Sequence, residues 1–66
     1  MKLIRLRQVL ALTGLSRGTL YRLERAGTFP NRRRLSPNCV AWIEQEITEW
    51  IESRPIAREA SPAPSA

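Results

Sequence analysis

The sequence has no histidine and only one cysteine, Cys39. That removes the ligand clusters of zinc sites, any internal disulfide framework, and the imidazole base that most nucleophilic cysteines use. Cys39 reads as a small, semi-buried apolar side chain, with a reactive thiol as the lesser alternative. The carboxylates Glu44, Glu46, Glu49 and Glu52 read as a solvated helix face, because no histidine, lysine base or cavity signal joins any pair of them. No enzyme, catalytic residue, metal or cofactor is expected. Long apolar runs are also missing. Residues 1–15 are interrupted by Lys2, Arg5, Arg7 and Gln8, so neither a secretory leader nor a membrane span is expected, and the expected location is cytoplasmic and nucleoid-associated. There is no internal repeat, and 66 residues allow one domain with one modest core.

What the chain does have is positive charge, mostly as arginine. Eleven Lys and Arg face six acids for a net +5, and a guanidinium fork suits phosphates and guanine edges. The charge is front-loaded. Residues 1–43 carry nine bases (Lys2, Arg5, Arg7, Arg17, Arg22, Arg25, Arg32, Arg33, Arg34) and one acid, Glu24, whereas residues 44–66 are net negative. An amphipathic membrane binder would set its bases opposite one continuous apolar stripe; these lie in three separate segments, which favours nucleic acid.

Leu6, Val9, Leu10 and Thr13 fall on one helical face and Gly14 follows, predicting a first helix over residues 6–13. Ser16 offers a cap, Leu20 and Leu23 share an inner face and Gly27 supplies the stop, predicting a second helix over residues 17–26. Leu15 would plug the corner between them. After Phe29-Pro30, the segments around Arg32-Arg33-Arg34-Leu35 and Cys39-Val40-Ala41-Trp42-Ile43, separated by Ser36-Pro37-Asn38, predict a short β-hairpin. Ile43, Ile47, Trp50 and Ile51 predict an inward stripe on a third helix over residues 44–53, which Pro55 ends. The fold class is therefore small α+β, mainly helical: a winged helix-turn-helix of helix, helix, short β-hairpin wing and C-terminal helix. Residues 1–54 would form this DNA-binding domain, and residues 55–66, rich in Pro, Ala and Ser, a disordered tail.

The run from Val9 through Thr13-Gly14-Leu15-Ser16 and Thr19-Leu20-Tyr21-Arg22 to Leu23, followed by Gly27, Phe29-Pro30, Trp42 and Trp50, resembles the AlpA family of phage and prophage regulators. That family is related to MerR-like DNA-binding domains and to phage excisionases. The resemblance covers nearly all of residues 3–54. It implies a protein that binds DNA near prophage or integrated-element genes, activating an integrase gene or helping an integrase excise the element. Two positions depart from the family pattern: Gly18 stands where a side chain is more usual, and Arg32-Arg33-Arg34 is more basic, which suggests a stronger grip on the DNA backbone.

On a helical wheel Arg17, Gly18, Tyr21, Arg22 and Arg25 gather away from Leu20 and Leu23, as on a recognition helix whose N-terminal part enters the major groove. Arg17 opposes the helix dipole, a cost of ~0.3 to 1 kcal/mol that an approaching phosphate or guanine would reverse. Ser16, Thr19 and Tyr21 complete the candidate contacts on this helix, although Thr19 could instead bond to its own helix and Tyr21 could simply pack. Arg32, Arg33 and Arg34 alternate faces if the segment is a strand, so at most two can point the same way and the third can fold back over the sheet edge; they are expected mainly to hold phosphates or probe the minor groove, and a charged edge strand that discourages aggregation is the plainer alternative. Phe29, Trp42 and Trp50 read as core, in preference to a stacking platform for single strands.

The leading expectation is sequence-specific binding of duplex DNA. Its rival is a protein-interaction module that docks its acidic third helix on a recombinase, such as an integrase, a polymerase subunit or a response regulator. With no dimerising stripe left over, the expected state is a monomer in solution, assembling cooperatively on repeated DNA sites through head-to-tail contacts of Glu46, Glu49 or Glu52 with a neighbour's bases.

Overall fold

The computed structural model describes residues 1–57. The first helix, α1 (Leu6–Thr13), has the predicted bounds. Its apolar face places Val9 fully inside and Leu6 and Leu10 against the core, while Leu12 on the far side is exposed. Gly14 ends it at φ 74°, a left-handed conformation that glycine adopts without a Cβ penalty, and its N–H bonds Leu10 O at 2.8 Å. The corner is braced locally: Thr13 Oγ1 donates to Val9 O at 2.8 Å and accepts from Leu15 N at 3.2 Å. Leu15 packs on the core from this corner.

The second helix, α2 (Arg17–Arg25), starts at Ser16, whose Oγ accepts from Thr19 N at 3.2 Å. One of the orphan amides of the first turn is thereby satisfied. Leu20 is fully buried and Leu23 half-buried. The helix is one residue shorter than predicted, since Ala26 caps it, and Gly27 turns the chain at φ 80°.

The hairpin forms from β2 (Arg33–Ser36) and β3 (Cys39–Ile43), turning through Pro37 and Asn38. Arg33 pairs with Ala41, Arg34 with Val40 and Ser36 with Cys39, so Leu35 sits in a bulge. A third strand, β1 (Leu3–Ile4), had no counterpart in the sequence-based expectation. It pairs antiparallel with the other edge of β3, Leu3 opposite Ile43 and Ile4 opposite Trp42, making β3 the centre of a sheet ordered β1-β3-β2. Consecutive residues Ala41 and Trp42 are both buried, so β3 is covered on both faces there.

The last helix, α3 (Glu44–Glu52), follows β3 without a loop: Ile43 ends the strand and caps the helix, and Glu44 N bonds Lys2 O at 2.8 Å. Ile47 enters the core. Trp50 meets Phe29 edge-on, with centroids 4.7 Å apart, and its Nε1 donates to Thr28 O at 2.7 Å. Ile51 corrects the predicted inward stripe: it is 37% exposed, because the last turn of α3 is held through Trp50 at the border of the core. The core proper is Ile4, Val9, Leu20, Phe29, Trp42 and Ile47. It draws on every helix and on two strands, each aliphatic member contributing about 1.5 to 3 kcal/mol.

Among the described residues, three helices and a three-stranded antiparallel sheet make this a small α+β fold. Of the predicted tail, residues 55–57 carry no helix or strand and residues 58–66 lie outside the described residues. Among the described residues, no helix is long and apolar enough to cross a membrane.

Candidate nucleic-acid interface

Helix α2 buries Leu20 and turns Ser16, Arg17, Gly18, Arg22 and Arg25 to solvent. Its first turn is ordered by a short chain of hydroxyls. Ser16 Oγ donates to Thr19 Oγ1 at 2.9 Å, and Arg22 Nη2 donates to the same oxygen at 3.3 Å. Half-buried Thr19 therefore holds the cap and the Arg22 guanidinium in place. Gly18 has ordinary helical geometry, and a Cβ built there would meet only Arg22 Nη1, at 3.9 Å. Nothing among the described residues requires glycine at this position.

Tyr21 and Arg32 are both engaged within the chain. Tyr21 is half-buried and packs against the core, the plainer of the two roles open to it. Arg32 lies just before β2 and folds back onto α2, where the Glu24 carboxylate accepts from Arg32 N at 3.0 Å and from Nε at 3.1 Å. The Arg32 guanidinium also sits 5.1 Å from the Tyr21 centroid and 5.8 Å from that of Trp42. Its hydrogen bond to Glu24 raises its pKa above the ordinary value, against the opposing effect of partial burial. This is a strut between α2 and the sheet. The one acid of the basic front half thus neutralises one arginine of the triplet.

Arg33 pairs with Glu46 of α3 at 2.9 Å, and Arg34 Nη1 donates to Pro37 O at 3.0 Å across the hairpin turn. Glu46, expected to face a neighbouring copy, is thus engaged within its own chain. Among the described residues the two ion pairs involve none of Arg5, Arg7, Arg17, Arg22 and Arg25. The structure further brings Arg17 beside Arg5 and Arg7 in a cleft at the start of α1, with Asn38 of the hairpin turn at its edge. Arg5 and Arg7 were counted as charge but not expected as site residues. The available signal was that α1, like α2, has no acid in its first turn.

These features define a small, basic α+β protein that presents an arginine-bearing helix to solvent. Residues 2–55 match the family of the prophage CP4-57 regulatory protein (AlpA), and the chain belongs to that family. It is similar to an Enterobacteria phage P4 protein described as uncharacterized protein ORF88, at 40% identity over 58 residues, covering 88% of this chain but only 66% of that protein. It is also similar to the DNA-binding transcriptional activator AlpA of Escherichia coli (strain K12), at 38% identity over 61 residues, covering 80% of this chain and 84% of the activator. The family is one of regulatory DNA-binding proteins, not an enzyme class.

Proposed function

We propose that the protein is a prophage or mobile-element regulator that binds duplex DNA sequence-specifically through a winged helix-turn-helix. In this reading α1 and α2 form the helix-turn-helix, the β2–β3 hairpin is the wing, and residues 1–54 are the binding domain. The observation that carries it is the exposed face of α2, where Arg17, Arg22 and Arg25 flank Gly18 and none is drawn into an ion pair among the described residues. Arg17 and Arg22 read base edges from the major groove, and Ser16 and Thr19 position them. Arg33 and Arg34 grip the backbone from the wing once Arg33 exchanges Glu46 for a phosphate, an exposed pair worth only about 0.2 to 1 kcal/mol. An excisionase-like role beside an integrase fits the same surface. The protein acts in the cytoplasm, as a monomer that assembles cooperatively on adjacent sites.

The experiment is a titration of specific and random duplexes at several salt concentrations. About three to six phosphate contacts are expected, each adding roughly −0.9 to the slope of log K against log salt. Arg17→Ala or Arg22→Ala should weaken the specific site more than the random duplex, by about 1 to 3 kcal/mol. Affinity that is flat in salt, or equal losses on both duplexes, refutes the reading. The acidic α3 as a docking face for a recombinase is the second reading, favoured by Glu49 and Glu52, which lie exposed on it. It predicts an integrase contact that survives loss of DNA binding.

A further inference from the structure

We propose that the cleft between the start of α1, the hairpin turn and the start of α2 is a seat for the sugar-phosphate backbone of DNA, with Arg5 and Arg7 holding phosphate oxygens and Arg17, on the α2 wall of the cleft, reaching on from the seated strand to the base edges. The inference rests on the duplex-binding reading above and adds to it two residues and a strand path. The cleft measures about 380 Å³ and is lined by those three arginines together with Leu6, Leu10 and Val40.

Three guanidiniums converging on one cleft repel one another, and among the described residues no acid forms an ion pair with any of them. Glu24 is committed to Arg32 and Glu46 to Arg33, and the other acids of the described residues, Glu44, Glu49 and Glu52, all lie on α3. The helix dipoles add to the mismatch. Neither α1 nor α2 has an acid in its first turn, whereas α3 follows the usual rule with Glu44 and Glu46. Arginines at the cap and first turn of two neighbouring helices are a destabilising arrangement that an anion reverses. Guanidinium forks bind phosphate oxygens bidentately, so the ligand is an oxyanion.

The rest of the lining narrows the class. A bare phosphate would satisfy the arginines and leave Leu6, Leu10 and Val40 wet. A backbone nucleotide carries its anion next to a largely apolar deoxyribose face, which matches a cleft that is cationic at its walls and aliphatic between them. Because Arg17 also opens α2, a strand seated here runs directly into the groove that α2 would enter. The contrast with the triplet is sharp, since Arg32, Arg33 and Arg34 each already have a partner within the chain.

The test uses the full chain carrying Arg5→Gln and Arg7→Gln together, titrated with specific and random duplexes over a range of salt. The slope should flatten by about one to two, so that raising salt from about 50 to 200 mM costs roughly 3.5-fold less affinity for each phosphate no longer held. Both duplexes should lose affinity by the same factor. Arg54→Gln, a charge removed at the end of α3, should leave the slope unchanged. An unaltered slope in the double variant overturns the seat. If at the same time the wild type binds duplex and Arg22→Ala impairs it, the α2 reading stands without it; if the wild type binds no duplex, the broader reading falls first. Inorganic phosphate should compete no better than chloride at equal ionic strength, and specific competition would make this a free-anion site instead. A readout independent of variant folding is the Nε–H NMR signals of the wild type: on adding duplex, those of Arg5, Arg7 and Arg17 should shift while that of Arg32 stays, and the reverse pattern refutes the proposal.

Discussion

Replacing Arg32 tests whether it is a strut or a DNA contact. Its side chain is 39% exposed and the Glu24 side chain 10%, so the pair lies between a surface ion pair and a buried one. Exposed pairs contribute about 0.2 to 1 kcal/mol, while breaking a fully buried one costs about 3 to 5 kcal/mol. The exposure of Arg32 discounts the second figure heavily. Two ring contacts within cation–π range add roughly 0.5 kcal/mol each. Arg32→Ala should therefore destabilise the fold by about 2 kcal/mol, which in a domain this small lowers the melting temperature by roughly 8 to 16 °C. Glu24→Gln keeps an acceptor for Arg32 N and loses the charge, so about half that effect is expected. The pair should couple by about 1 kcal/mol in a double-mutant cycle. The assay is thermal unfolding followed by circular dichroism, alongside duplex titration of the same proteins. If Arg32→Ala melts like the wild type and instead flattens the salt dependence of DNA binding, the strut is wrong and Arg32 holds a phosphate.

Other substitutions test the frame around α2. Gly14→Ala forces a side chain into φ 74° and should cost about 1 to 2 kcal/mol, read as a lower midpoint in urea; an unchanged midpoint would mean that the corner relaxes. Ile47→Ala should cost about 2 to 5 kcal/mol, but Ile51→Ala much less, below about 1 kcal/mol, because only Ile47 is enclosed; equal losses would restore the predicted stripe. Gly18→Ala should stabilise the free protein by about 0.5 to 1 kcal/mol, since the added methyl has room and the helix gains propensity. If the same variant binds the specific duplex more weakly, DNA approaches the backbone at that point; a loss of stability would show that glycine serves the fold.

Most of the fold was legible because its signals are local. The 3.6-residue spacing of Leu6, Val9 and Leu10, the Ser16 cap and the Gly14 stop each lie within a few residues of the structure they produce. Strand β1 was not legible, since two residues are too short for any alternation to show, and it exists because the edge of β3 offers Ile43 and Trp42 as partners. Ile51 misled for the opposite reason. Its spacing from Ile43 and Ile47 is helical, yet Ile43 belongs to a strand, so the stripe mixes two geometries.

The candidate site shows the same limit in its electrostatics. Sequence counts charges but does not pair them, and Arg32-Arg33-Arg34 reads as one basic run until the chain folds. Once it does, Glu24, eight positions back on α2, takes Arg32, and Glu46, thirteen positions on in α3, takes Arg33. The arginines then separate by partner. Those on the triplet hold α2, the hairpin and α3 together or sit on the hairpin turn, while Arg5, Arg7, Arg17, Arg22 and Arg25 lie outside both ion pairs. For a DNA reader this division has a mechanical consequence: the strut fixes the angle of α2 against the sheet before any ligand arrives. Under the proposed reading, the cost of orienting α2 would then be met in folding, and the arginines outside the two ion pairs of the described residues would enter the groove without first breaking such pairs.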